Sequence, residues 1–191
     1  METLLTSTAV VALAEIGDKT MLLAIVLATR FRKPMPIVLG ILVATLANHA
    51  IAAFLGQSIA GIMQGPWFRY AVGASFVAMA VWTLVPDKLD EDEEPATPRF
   101  GAFLTTVVAF FLVEIGDKTQ IATIALGAQF ESVLLVTTGT TLGMMLANVP
   151  AVYFGSAIVE RVSLKAVRIV AALLFFAIGA WVIADAAGCV Q

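Results

Sequence analysis

One cysteine, one histidine and few charged side chains are spread over 191 residues, and each scarcity excludes something. Cys189, alone near the end, rules out an internal disulfide framework and any multi-cysteine metal centre. Charged residues make up only 13 % of the chain against 60 % apolar ones, whereas roughly a quarter of a typical globular protein is charged. A chain of this size cannot bury so much apolar surface in one aqueous core. Lipid must take the rest. The formal charge of −3 says little about partners, because the charges are unevenly placed. A basic n-region is missing from Met1-Glu2-Thr3 and the first apolar run exceeds signal length, so no cleavable signal is expected.

What is present is a series of long apolar runs. A helix needs about 20 mostly apolar residues to cross the hydrocarbon layer, and six segments qualify: Leu4–Thr29, Ile37–Met63, Trp67–Val85, Phe100–Ala128, Ser132–Ile158 and Leu164–Ala184. The fold class expected is all-α integral membrane. Arg30, Arg32, Lys33, Pro34 and Pro36 end the first run, and Gly65 and Pro66 the second. Pro86 opens an acidic stretch, Asp87 to Glu94, closed by Pro95 and Pro98. It is too polar for lipid and lacks the alternating ligands and central glycine of a calcium loop, so it reads as a solvated linker. Gln129 to Ser132 and Glu160 to Lys165 supply the last two turns. Trp67, Trp82 and Trp181 near the run ends read as interface anchors. Arg30, Arg32, Lys33, Lys88, Arg99, Arg161, Lys165 and Arg168 flank the first, third and fifth connections, while only Arg69 borders the opposite side. Positive charge stays cytoplasmic, so both termini are expected outside.

The chain repeats itself. A shift of 99 residues lays Glu15-Ile16-Gly17-Asp18-Lys19-Thr20 on Glu114-Ile115-Gly116-Asp117-Lys118-Thr119, Gly56 on Gly155, Arg69 on Arg168 and Trp82 on Trp181. Ala47-Asn48 matches Ala147-Asn148 with a slip of one residue. Residues 1–86 and 100–191 are thus read as two three-helix repeats joined by the linker 87–99. Three spans per repeat is an odd number, so the second enters the membrane from the other side. Such inverted-topology repeats are common in secondary transporters, whose sites lie near the midplane at the repeat interface.

The best-matched segment is also the most polar. Glu15, Asp18, Glu114 and Asp117 fall mid-span, where an ionised group costs at least ~2.5–3.5 kcal/mol and marks a functional pathway. On an unbroken helix a spacing of three sets Glu15 and Asp18 on one face, with Lys19 close by; Glu114, Asp117 and Lys118 repeat this. Gly17 and Gly116 permit either a close helix approach or a local opening of the backbone that exposes carbonyl oxygen. Four carboxylates and two lysines sum to −2, which suits one bare divalent cation. Oxygen ligands favour Ca²⁺, Mg²⁺ or Mn²⁺; Zn²⁺ and Cu²⁺ are disfavoured for want of Cys and His. Without the metal, crowded acids in a low dielectric take up protons instead, so protons and metal compete. Asn48 and Asn148 read equally as completing a symmetric oxygen shell or as interhelical ties. Thr20 and Thr119 point away from the aspartates on an unbroken helix and serve only if the backbone departs at the glycine. Lys19 and Lys118 read as counter-ions, since an ammonium has no lone pair for a metal. Gln120 has Met21 as its counterpart, and His49, read as packing, faces Val149 on the slipped alignment.

Two intact copies of E-x-G-D-[KR]-[TS], Glu15–Thr20 and Glu114–Thr119, in a small six-span chain with a charged central loop resemble the cation exchanger family of bacterial manganese exporters and Golgi calcium/manganese–proton exchangers. The resemblance covers essentially the whole chain. It implies Mn²⁺ or Ca²⁺ as transported substrate with protons as counter-substrate, and no prosthetic group. Glu15, Asp18, Glu114 and Asp117 are then essential, with Lys19, Thr20, Lys118 and Thr119 supporting. The short form looks bacterial, which implies manganese export across the inner membrane. The alternatives are a Ca²⁺/H⁺ exchanger, a small organic-solute exporter, whose site should show apolar selectivity groups, and an intramembrane aspartyl protease. Against the last, Glu15 and Glu114 stand where the protease motif has its first glycine, so no enzyme is expected.

Overall fold

The computed structural model describes residues 1–63, 65–86, 101–155 and 163–189. The acidic linker, with Lys88 and Arg99, and the stretch holding Ile158, Glu160 and Arg161 lie outside them. Among the described residues there are eight α-helices and no strand: α1 (Glu2–Glu15), α2 (Lys19–Phe31), α3 (Pro34–Ile62), α4 (Pro66–Thr83), α5 (Gly101–Glu114), α6 (Lys118–Phe130), α7 (Val133–Phe154) and α8 (Leu164–Ala186). Three of them, α3, α7 and α8, are long and apolar enough to cross a membrane, and α5 is a shorter apolar helix. Leu39, Phe54, Leu146, Phe154, Leu173 and Phe176 are among many large apolar side chains left exposed. A surface of this kind is solvated by lipid.

Runs one and four are each split in two by the motif. After Glu15 the chain is extended at Ile16, turns at Gly17 with φ +83°, and is extended again at Asp18 before α2 starts. Gly116 repeats the turn with φ +79°, and Asp117 precedes α6 with φ −75° and ψ 165°. A residue bearing a Cβ is strained at such a φ, which is why glycine stands there. The tight turn is closed both times by the aspartate N–H donating to the glutamate carbonyl, at 3.0 Å and 3.1 Å. The helical face that Glu15 and Asp18 share on an unbroken helix therefore does not exist.

Other boundaries move for ordinary reasons. Proline lacks an N–H and suits a first turn, so Pro34 and Pro66 start α3 and α4. Arg32 and Glu131, both left-handed, close α2 and α6 by donating their N–H groups to Ala28 and Gly127.

Packing interlocks the halves. Gly40 of α3 lies against Phe103 and Thr106 of α5; a Cβ on it would stand 2.7 Å from Thr106 Cβ. Gly139 of α7 lies against Leu4 and Ser7 of α1; a Cβ on it would stand 2.8 Å from the Leu4 carbonyl oxygen. Those contacts are the same contact shifted by 99 residues. One apolar cluster joins Val10, Ala53, Phe76, Leu126, Val136 and Phe175; the other joins Leu23, Ile41, Phe110, Val113 and Val152. Each draws on both halves, so neither half has a core of its own. Phe76 and Phe175 are themselves counterparts, with ring centroids 6.4 Å apart where α4 crosses α8.

Candidate functional site

All four motif carboxylates are buried: Glu15 is 0 % exposed, Asp18 2 %, Glu114 2 % and Asp117 5 %. The glutamates end α1 and α5, and the aspartates sit at the N-caps of α2 and α6. A helix N-terminus favours negative charge, so the break both frees backbone and points the start of a helix at each aspartate.

Each glutamate meets a residue from the opposite half. Asn148 on α7 donates through Nδ2 to Glu15 Oε1 at 3.0 Å. His49 on α3 brings Nε2 to 3.5 Å from Glu114 Oε1. His49 and Asn148 are separated by the 99 residues that separate the motifs, so they are true counterparts and the slip of one residue is an error of alignment. Asn48, which read equally as a shell ligand or an interhelical tie, is therefore not the counterpart of Asn148. Its Oδ1 accepts from Gln120 Nε2 at 2.7 Å, and Gln120 Oε1 accepts from the Gly116 N–H at 2.8 Å. Gln120 thus ties α3 to the exposed backbone of the second break.

The threonines differ from their unbroken-helix expectation. Thr119 donates its hydroxyl to Glu114 Oε1 and lies 3.3 Å from Asp117 Oδ2, so it joins the acid pair directly. Thr20 is fully buried, and its hydroxyl has no hydrogen-bond partner among the described residues. Lys19 reaches across the halves to Asp117, at 3.8 Å. Lys118 donates to the Val85 carbonyl at 3.1 Å and lies over the Trp82 ring, 5.9 Å from its centroid. The two copies are therefore related but not identical in their contacts.

Among the described residues no three His, Cys, Asp or Glu side chains stand close enough to hold a metal together. The carboxylates instead make two sets of contacts, Glu15 with Asn148, and Glu114 with Thr119 and His49, where Thr119 also meets Asp117 and Lys19 faces Asp117. Glu114 Oε2 and Asn148 Oδ1 are buried and make no hydrogen bond among the described residues, and buried polar atoms of that kind are few in folded proteins. Sequence reasoning missed His49 and Gln120. Holding the shift at 99 through the second helix would have found His49; Gln120, with Met21 opposite, carries no repeat signal.

A family model described as "Divalent cation/proton antiporter GDT1" matches residues 3–91 and 102–188. A Vibrio cholerae protein named "Putative manganese exporter" is 51 % identical over 176 residues, covering 92 % of this chain and 87 % of its own length. A Synechocystis relative, "GDT1-like protein sll0615", is 31 % identical over 193 residues, covering 90 % of this chain and 92 % of its own. "GDT1-like protein 5" of Arabidopsis thaliana is 27 % identical over 210 residues, covering 91 % of both chains. No solved structure matches.

Proposed function

This chain belongs to the GDT1 family of divalent cation/proton antiporters and is a membrane protein, and from that premise we propose that it exports Mn²⁺ from the cytoplasm in exchange for protons. The observation that carries the reading is the pairing of each buried motif glutamate with a side chain from the opposite half. A site built this way changes shape whenever one half rocks against the other, which is what alternating access requires. Carboxylates excluded from water are neutralised by a cation or by protons, so release of one admits the other. The oxygen-rich donor set suits Mn²⁺, Ca²⁺ and Mg²⁺ alike, and the name of the Vibrio relative supports manganese among them.

In this reading the protein has six spans in two inverted repeats, with α1–α2 and α5–α6 as the broken span of each. It lies in a bacterial inner membrane with both termini outside, an orientation supported by the basic residues at the Arg30 and Lys165 ends. Glu15, Asp18, Glu114 and Asp117 bind the cation, helped by Asn148 and Thr119, while Lys19 and Lys118 balance charge. Mn²⁺ flux into proteoliposomes under an imposed pH gradient, with Ca²⁺ and Mg²⁺ as competitors, tests it. Flux that collapses when the gradient is dissipated is expected. Folded protein that moves no divalent ion would overturn the proposal.

A further inference from the structure

The two glutamates sit in chemically different surroundings, and the difference lies in sulfur. Around Glu15, the amide nitrogen of Asn148 that donates to the carboxylate also lies 3.0 Å from the thioether sulfur of Met144. That nitrogen thus lies 3.0 Å from both a carboxylate oxygen and a thioether, and it also donates to the Met144 carbonyl at 3.1 Å. Met144 is fully buried. Asn148 Oδ1, on the same amide, is buried with no hydrogen-bond partner among the described residues, so rotating that amide would offer an oxygen where it now offers N–H. The shift of 99 residues puts Thr45 at the place of Met144 and His49 at the place of Asn148. Around Glu114 the corresponding groups are therefore a hydroxyl and an imidazole, with no sulfur at the matching position. Met21 likewise stands where the other half has Gln120.

Met144 and Asn148 lie one turn apart on α7, so their contact follows from the helix; what the helix does not dictate is a thioether here and threonine at the matching place in the other half. Ca²⁺ and Mg²⁺ take oxygen ligands almost exclusively; Mn²⁺ shares their preference for carboxylate and carbonyl oxygen but, as a transition metal, also accepts a thioether, more weakly than the softer ions do. Building on the transport reading above, we propose that Met144 is a selectivity ligand: its sulfur, with the Glu15 carboxylate and the Asn148 amide oxygen, favours Mn²⁺ over Ca²⁺ and Mg²⁺. Discrimination then resides in the first half-site, and the second half-site is indifferent to the softness of the ion. A hard cation reaching Glu15 would face a sulfur that cannot replace its lost water, while Mn²⁺ keeps part of that interaction.

The test is the ratio of KM for Ca²⁺ to KM for Mn²⁺ in proteoliposomes, for wild type, Met144→Leu and Met144→Gln. Leucine keeps the volume and removes the sulfur; glutamine keeps the length and supplies an oxygen. Inhibition of Mn²⁺ flux by Cd²⁺, a softer ion, gives a second readout that loss of packing would not move. The ratio is expected to fall about tenfold in Met144→Leu and further in Met144→Gln, with Cd²⁺ inhibition weakened in both. If Met144→Leu does not fold, Met144→Gln carries the comparison alone. Variants that transport Mn²⁺ with the wild-type ratio and Cd²⁺ sensitivity would overturn the selectivity role and leave the transport reading standing. Wild-type protein that moves no divalent ion would overturn both.

Discussion

Asp18 and Asp117 are buried at the first turns of α2 and α6, and Asp117 is paired with Lys19 from the other half. Asp117→Asn removes both the charge that Lys19 faces and a carboxylate of the proposed site, so it should abolish Mn²⁺ flux. Asp18→Asn should do the same, with membrane insertion intact, as quantitative blotting of membranes alongside flux would show; normal flux in either variant would remove that acid from the mechanism. The buried acids were legible in the sequence because charge is so rare there. Their partners were not. Asn148 stood out as a repeated residue, while His49 was hidden because histidine and asparagine look unrelated until the repeat is held in register. Thr119 could be read only once the helix was known to break, since its hydroxyl turns toward Glu114 through that break.

The break itself sets the scale of the element. Six apolar runs were visible by length, but a glycine inside a run is compatible with either a tight helix crossing or an opened backbone, and only coordinates choose. The two breaks are not equally covered. A Cβ at Gly17 would come 2.8 Å from a Leu164 methyl at the start of α8, whereas a Cβ at Gly116 would meet nothing within 4 Å. Gly116→Ala should therefore cost only the left-handed backbone penalty of about 1–2 kcal/mol, and Gly17→Ala should cost more. Thermal unfolding in detergent would order the variants, and Leu164→Ala combined with Gly17→Ala should remove most of the difference between them. Equal destabilisation of the two single variants would show that Leu164 does not press on the first break.

Taken whole, the molecule has two halves in sequence but no division in its core. Both apolar clusters mix the halves, and α3 and α7 each pack on the broken helix of the other half. Residues 1–86 and 100–191 made as separate chains in one cell should therefore purify together through a tag on either, while each made alone should aggregate. Independent folding of either piece would contradict the interlocked core. Where α4 crosses α8, Phe76 meets Phe175 and the small residues Gly73 and Gly179 lie backbone to backbone. Because Phe175 is the repeat image of Phe76, this surface is complementary to its own copy, as an isologous dimer interface is. In the inverted-repeat reading proposed above, a single three-helix chain inserted in the membrane in both orientations makes the same contact with its upside-down twin, which is how a gene encoding half this protein would have assembled before it was doubled.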